Sequence, residues 1–338
     1  MGPDMQPVDP RSLADRLEIA LSRPDDSDLR TLGDTSPATP RDRFQCLEQI
    51  YALHRGPLDH VGDRARWQHH PVVAALKQRC EYDWIAELDT DERQFPDARD
   101  AVTFLRRLAA HDRIPPVYRW LAREATPTEV VRFLALEGGP DAEFDDLVAT
   151  CQVGLKGTAK AELARNYWDE MGNGDPTQVH TTLHDRLVTA IGLDQIALGA
   201  LPVSALARKC LPGMLATNRV LQPELLGALG LTELQAGPRC RLVLQALGRC
   251  DMPADAHPFY RTHAEVDPRH GADWLANAVA PLIEARPDWA SRIVRGARWR
   301  SSTNATFFDD LASLFAETKP DLTVPASTCS ASEHKKAA

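Results

Sequence analysis

The chain has 338 residues, with 48 Asp and Glu against 39 Lys and Arg for a net charge of −9, and it is 43% hydrophobic and 26% charged. That balance excludes an intrinsically disordered chain and works against a phosphate-tracking surface, which needs clustered cations, so nucleic acid is not an expected partner. Its seven cysteines are scattered and never spaced CxxC, so neither a disulfide framework nor a thiolate zinc site is expected, and a reducing cytoplasm is the simplest compartment.

Residues 1–40 hold six prolines among Asp, Ser and Thr, and are expected to form a mostly flexible leader with at most one short helix at 13–21. The opening MGPDMQPVDPRSLAD has neither the basic nor the apolar region of a secretory signal. No run of about 18 apolar residues follows anywhere, so no membrane span is expected. From residue 41 the apolar residues recur at three and four, without a period-two run rich in Val, Ile and Thr, which predicts an all-α body. Phe44, Leu47, Ile50 and Tyr51 form one stripe, ended by Gly56-Pro57; a second runs over 72–88, opened by Pro71, with His69 and His70 as a cap region. Shorter helices follow at 101–108 and 117–121. Thr126-Pro127-Thr128-Glu129 is a capping box with proline at the first helical position, and opens a helix that Gly138-Gly139-Pro140 breaks after Glu137. Helices at 144–155 and 158–171 lead to the turn Gly172-Asn173-Gly174-Asp175-Pro176, then a helix over 177–191. Further pieces are expected at 196–209, 215–229 and 240–247, then a long helix over 258–283 interrupted by Pro268, and an amphipathic segment at 307–315. Length alone allows about two domains. The continuous helical pattern, without a fixed-period repeat, instead makes 41–320 one domain, followed by a disordered tail at 321–338.

Polar side chains on the apolar faces carry the functional signal, because a buried charge costs several kcal/mol unless it is paired or bound to a metal. In HPFYRTHAEVDPRHGADWL, residues His263, Asp267 and His270 fall within about 60° of one another at about 100° per residue, on a stripe that Tyr260, Trp274 and Ala278 extend. Their imidazole and carboxylate groups suit iron, zinc or manganese, and the lack of thiolates favours a metal of oxygen chemistry. A hydrogen-bonded buried cluster or a wet seam is the alternative. Glu170 shares a face with Ala159, Leu163 and Tyr167, just before the Gly172 turn, and His180 shares one with Leu183, Leu187 and Ile191, just after it. The two positions therefore meet at one end of a helical hairpin. Glu137, stacked with Phe133 and Leu134, completes a set of three carboxylates and three histidines from facing helices, the logic of carboxylate-histidine dimetal bundles. His184 is read as a pocket or supporting residue, Glu143 and Glu162 as surface acids, and His257 as structural.

With these residues in place, the stretch 116–281 resembles the haem-oxygenase-like diiron oxidases and oxygenases, also called iron-containing redox enzymes. The resemblance rests on FLALEGG, NYWDEMGNGDPTQVH and FYRTHAEVDPRH. It implies a haem-oxygenase-like helical bundle in which Glu137, Glu170, His180, His263, Asp267 and His270 hold two iron ions, with dioxygen as co-substrate. Members often carry an aromatic where this chain has His184, and the Asp267-Pro268 step implies an irregular third core helix. The implied activity is oxygen-dependent oxidation of a small amine or amino acid, by N-oxygenation or oxidative carbon-carbon cleavage, in specialised metabolism. Oxidative decarboxylation or desaturation of a fatty-acid-like substrate is the alternative chemistry, and a metal-free helical binding protein the alternative class. An external electron donor and a homodimer are compatible with this reading.

Overall fold

The computed structural model describes residues 11–90, 101–111, 113–138, 143–193 and 201–316. Every regular element among them is helical, as the three-and-four spacing requires. In chain order these are α1 (Leu13–Leu21), α2 (Ser27–Leu32), α3 (Pro40–Arg55), α4 (Leu58–Val61), α5 (Pro71–Leu88), α6 (Ala101–His111), α7 (Pro116–Arg123) and α8 (Pro127–Glu137). They continue with α9 (Phe144–Cys151), α10 (Gly157–Glu170), α11 (His180–Ile191), α12 (Val203–Thr217), α13 (Gln222–Arg249), α14 (Pro258–Asp273), α15 (Ala280–Ala285) and α16 (Trp289–Ala316). None of the described helices is long and apolar enough to cross a membrane.

The expected flexible leader is corrected over its described part. Ser12 and Asp15 close a capping box on α1, and buried Asp42 of α3 accepts hydrogen bonds from the Leu13 and Ala14 amides at 3.3 and 2.7 Å. Leu13, Leu17, Leu21, Leu29 and Leu32 are buried in the main core. Each such leucine contributes roughly 1.5–3 kcal/mol, enough to hold a short capped helix in place despite the prolines around it. The expected tail at 321–338, Gly139-Pro140 and residues 196–200 lie outside the described residues.

The core is organised around α13, which packs on α14, α16, α7 and α6. Two expectations fail here. The piece at 215–229 is divided at Asn218, between α12 and α13, and α13 runs unbroken through Gly237-Pro238, where the composition suggested a gap. Proline costs a helix one hydrogen bond, but α13 continues through it, with 18 buried residues packed against its neighbours. Its glycines set how close those neighbours come. A Cβ on Gly227 would stand 1.8 Å from Ile293 O of α16, and one on Gly237 would stand 2.9 Å from the Pro268 ring of α14. From the other side, a Cβ on Gly271 of α14 would lie 3.0 Å from the Leu234 backbone and 3.1 Å from Glu233 C. The irregularity expected at Pro268 is displaced by two turns: α14 passes through Pro268 and becomes a π-helical turn at Trp274–Val279. The segment expected at 307–315 is the last part of α16.

Candidate metal centre

Five helices, α8, α10, α11, α13 and α14, deliver polar side chains to one region of the bundle. The capping box at Thr126 and Glu129 starts α8, whose last residue is Glu137. Glu170 ends α10 and His180 opens α11, with a short 3-10 turn between them in which Gly172 and Gly174 take positive φ. A Cβ on Gly172 would meet Gln178 C at 2.7 Å, so glycine there lets the hairpin close tightly enough to bring Glu170 and His180 together. His263, Asp267 and His270 follow one another along α14.

Among the described residues two groups of atoms that could hold a metal ion result, both containing Glu170. In the first, His180 Nδ1 lies 2.9 Å from Glu170 Oε2 and 3.0 Å from His263 Nε2. Two donors held about 2.1 Å from one ion at right angles stand about 3.0 Å apart, so these spacings match edges of a coordination shell. His263 Nδ1 donates to Phe259 O at 2.6 Å, which places its proton away from the group and leaves Nε2 as the donor atom. In the second group, His270 Nδ1 faces Glu170 Oε1 at 3.8 Å and Glu233 Oε2 at 3.7 Å. That nitrogen is buried without a hydrogen-bond partner, as an atom awaiting a cation would be. On its other side, His270 Nε2 is held by Asp169 Oδ2 at 3.0 Å, and Asn166 Nδ2 donates to Glu233 Oε1 at 2.7 Å. Glu170 thus turns one carboxylate oxygen to each group.

The electrostatics are those of exchangeable positive charge. Burial would raise the Glu170 carboxyl, but His180, His263 and His270 hold it down at about 2. Burial raises Glu233, against the pull of His270 and Asn166. For His270, desolvation is outweighed by Glu233, Asp169 and Glu170, which lift it to about 9. These carboxylates already stabilise positive charge at the places a metal ion would occupy.

The sequence profile of the iron-containing redox enzymes matches residues 131–304, a stretch that contains all of these side chains. The chain belongs to the iron-containing redox enzyme family. No curated protein matches it. A CADD-like protein of unknown function from Nostoc punctiforme, 19% identical, superposes with a TM-score of 0.51 over 64% of this chain and 97% of that chain. A second crystal structure of that protein gives 0.48 at 18% identity, over 66% and 97%. The all-α bundle is the haem-oxygenase-like fold of this iron-containing redox enzyme family.

Of the six residues expected from the sequence, the structure brings Glu170, His180, His263 and His270 into the two groups. Glu137 and Asp267 are buried and line the same cavity, of about 730 Å³, but belong to neither group. Glu137 Oε1 accepts from Tyr118 Oη at 2.8 Å and Arg208 Nη2 at 3.4 Å, and its carbonyl accepts from Arg208 Nη1 at 2.6 Å. Burial and the neighbouring Glu137 keep Tyr118 a neutral donor. A second cavity, lined by Asp169, Gln178 and His270, meets the first at Glu170, His180, His263 and Asp267, so these four side chains stand between the two. His184 lies one turn beyond His180, its ring 5.3 Å from that of Phe259, outside both groups. Glu143 is half-exposed and pairs with Arg55, as a surface acid would. Glu162, however, is buried, accepting from Asn277 of the π-helical turn at 3.1 Å and from Arg165 at 2.5 Å. His257 precedes α14 and bonds Pro253 O, a structural role.

Sequence reasoning missed Glu233 and Asp169. Glu233 had a signal: Leu226, Gly230, Glu233, Gly237 and Cys240 repeat at four and three, one stripe of a helix. Asp169 had none, since it stands beside Glu170 off the apolar face.

Proposed function

We propose that this protein is a non-haem iron oxygenase or oxidase. It uses dioxygen to oxidise a small amine or amino acid, by N-oxygenation or oxidative carbon-carbon cleavage. Two iron ions are its cofactor, with Glu137, Glu170, His180, His263, Asp267 and His270 as ligands and Glu233 as a further carboxylate for the ion at His270. The observation that carries this reading is Glu170, with Oε2 toward His180 and His263 and Oε1 toward His270. A carboxylate with one oxygen on each side could hold two cations at once.

Bound ferrous iron supplies the electrons that reduce dioxygen. The chain's own residues do the rest. Phe259 O and Asp169 fix which nitrogen of His263 and His270 faces inward. Tyr118 and Arg208 hold Glu137 at the cavity wall. Phe144, Val243, Phe259 and Tyr260 line that cavity with apolar surface, which keeps water from competing for a reactive centre.

The test is anaerobic reconstitution with ferrous iron, followed by iron quantitation and mixing with oxygen. Close to two irons per chain and an oxygen-dependent absorbance change are expected, and replacing His263 or His270 by Ala should remove about one iron. Less than about one iron in the unaltered protein, or no response to oxygen, refutes the reading. Screening amines, amino acids and fatty acids for oxygen-dependent consumption then identifies the substrate.

A further inference from the structure

The two cavities that meet at the candidate ligands differ in how they reach solvent. Every described residue that lines the first is buried or half-buried. Its other walls are aromatic or cationic, with Phe144, Phe259 and Tyr260 beside the buried guanidiniums of Arg208, Arg239 and Arg300, and three such charges repel a divalent cation. The second cavity, of about 730 Å³, opens outward. Asn173, Gln178 and Arg269 are its exposed lining, Asp169 and Thr262 are half-buried, and Glu170, His180, Asp267 and His270 are buried. The one guanidinium among the described residues that line it, Arg269, pairs with Asp169 at 2.7 Å. A divalent ion with six waters needs roughly 200 Å³, at about 30 Å³ per water, so it fits with its hydration shell.

We infer that the second cavity is the route by which metal ions reach and leave their ligands, with the Asp169–Arg269 pair at its mouth. This rests on the oxygenase reading and deepens it by giving ions and organic substrate separate ways in. The amide and hydroxyl oxygens of Asn173, Gln178 and Thr262 can take over part of a hydration shell on the way to the buried carboxylates and imidazoles. Ions then never cross the apolar and cationic walls of the first cavity. Arg269 neutralises Asp169 at the mouth, so its guanidinium slows the approach of a cation that the carboxylate alone would attract.

The test follows cobaltous ion, which needs no oxygen chemistry, into and out of the full chain, with a chelating dye as the stopped-flow readout. A side chain that blocks a route slows entry and exit by the same factor and leaves the dissociation constant unchanged, whereas damage to the ligands changes that constant. Thr262→Trp should slow both rates about tenfold, and Gln178→Trp, at the exposed end, about threefold. Ala236→Phe, which fills the first cavity instead, should leave both within about twofold of wild type. Arg269→Ala should speed entry about threefold at low salt, a gain that screening removes at high salt. Wild-type rates in both tryptophan variants overturn the inference, as does slowing by Ala236→Phe in their place. So does a changed dissociation constant without matched changes in the two rates. Should Thr262→Trp fail to fold, Gln178→Trp and Arg269→Ala still decide. A protein that exchanges cobalt by this route yet shows no oxygen response with iron sinks the oxygenase reading and spares the route. One that loads iron and responds to oxygen, but keeps wild-type exchange rates in both tryptophan variants, does the reverse.

Discussion

Asp169 offers a sharp test of how the second group is built, because its carboxylate touches His270 without belonging to the ligating cluster. Its Oδ2 accepts from His270 Nε2 at 3.0 Å and pairs with Arg269 Nη2 at 2.7 Å. Arg269 is 58% exposed, so losing its pair costs little. The effect of removing the carboxylate therefore falls on His270. A partner that orients a ligating imidazole is worth about 10–100-fold in metal affinity, or ~1.4–2.7 kcal/mol. Asp169→Ala should weaken one of two ferrous binding events by that factor and affect the other less, since His180 bonds Glu170 and His263, and His263 bonds Phe259 O. Asp169→Asn retains an acceptor for the Nε2 proton but loses the charge, so its effect should be smaller. The assay is anaerobic ferrous titration against a competing chelator, with thermal unfolding in parallel to confirm that the fold survives. Wild-type affinity at both ions in Asp169→Ala would refute the placement of His270 as a ligand oriented through Asp169, and equal weakening at both would refute an effect of Asp169 that acts mainly through His270.

Two further predictions concern packing and the support of Glu137. Gly227→Ala drives a methyl to within 1.8 Å of Ile293 O, a backbone atom that cannot swing away, whereas a methyl on Gly248 of the same helix meets nothing within 4 Å. Urea unfolding should show Gly227→Ala destabilised by ~2 kcal/mol, overpacking exceeding the helix-propensity gain, and Gly248→Ala unchanged or up to ~1 kcal/mol more stable. The opposite order would mean that α13 and α16 do not approach as described. Tyr118→Phe removes the hydrogen bond to Glu137 Oε1 and should lower stability by about 1 kcal/mol in the same assay, without raising the affinity for iron; unchanged stability would show that Arg208 alone suffices for Glu137.

The helical body was legible in the sequence wherever a local stop or start signal has a backbone cause. Pro71 opens α5 and the Thr126 capping box opens α8, because both satisfy or remove amide donors that a helix start leaves unpaired. Glu170 and His180 were legible because a glycine turn separates two apolar stripes that each end on a polar residue. The helix at 13–21 was legible in the leader, but its packing on the core was not, because its partner Asp42 lies 28 residues from Ala14, and the second helix α2 was not either. Glu233 was lost for a related reason. Gly237-Pro238 breaks a helix by local propensity, but tertiary burial keeps α13 continuous, and the acid sits in the stretch that local rules removed. Glu162 was taken for a surface acid from its neighbours in sequence, whereas the π-helical turn that covers it comes from 115 residues away.

The glycines of α13 and α14 connect these observations. Gly237 and Gly271 let the two helices approach until backbone nearly touches backbone, and that approach sets Glu233 against His270 on the residue beside Gly271. Close packing is ordinarily favourable for an apolar core, yet here it forces Glu233 and Glu170 into a site where both are almost fully buried. Taking the Glu233 carboxylate out of water costs several kcal/mol, and His270 Nδ1 at 3.7 Å with Asn166 at 2.7 Å offsets only part of that, so burial still raises Glu233, whereas the three histidines more than compensate Glu170. A metal ion beside Glu233 and His270 Nδ1 would offset the rest, so ferrous iron should raise the unfolding temperature in a concentration-dependent way, and no rise would refute binding there.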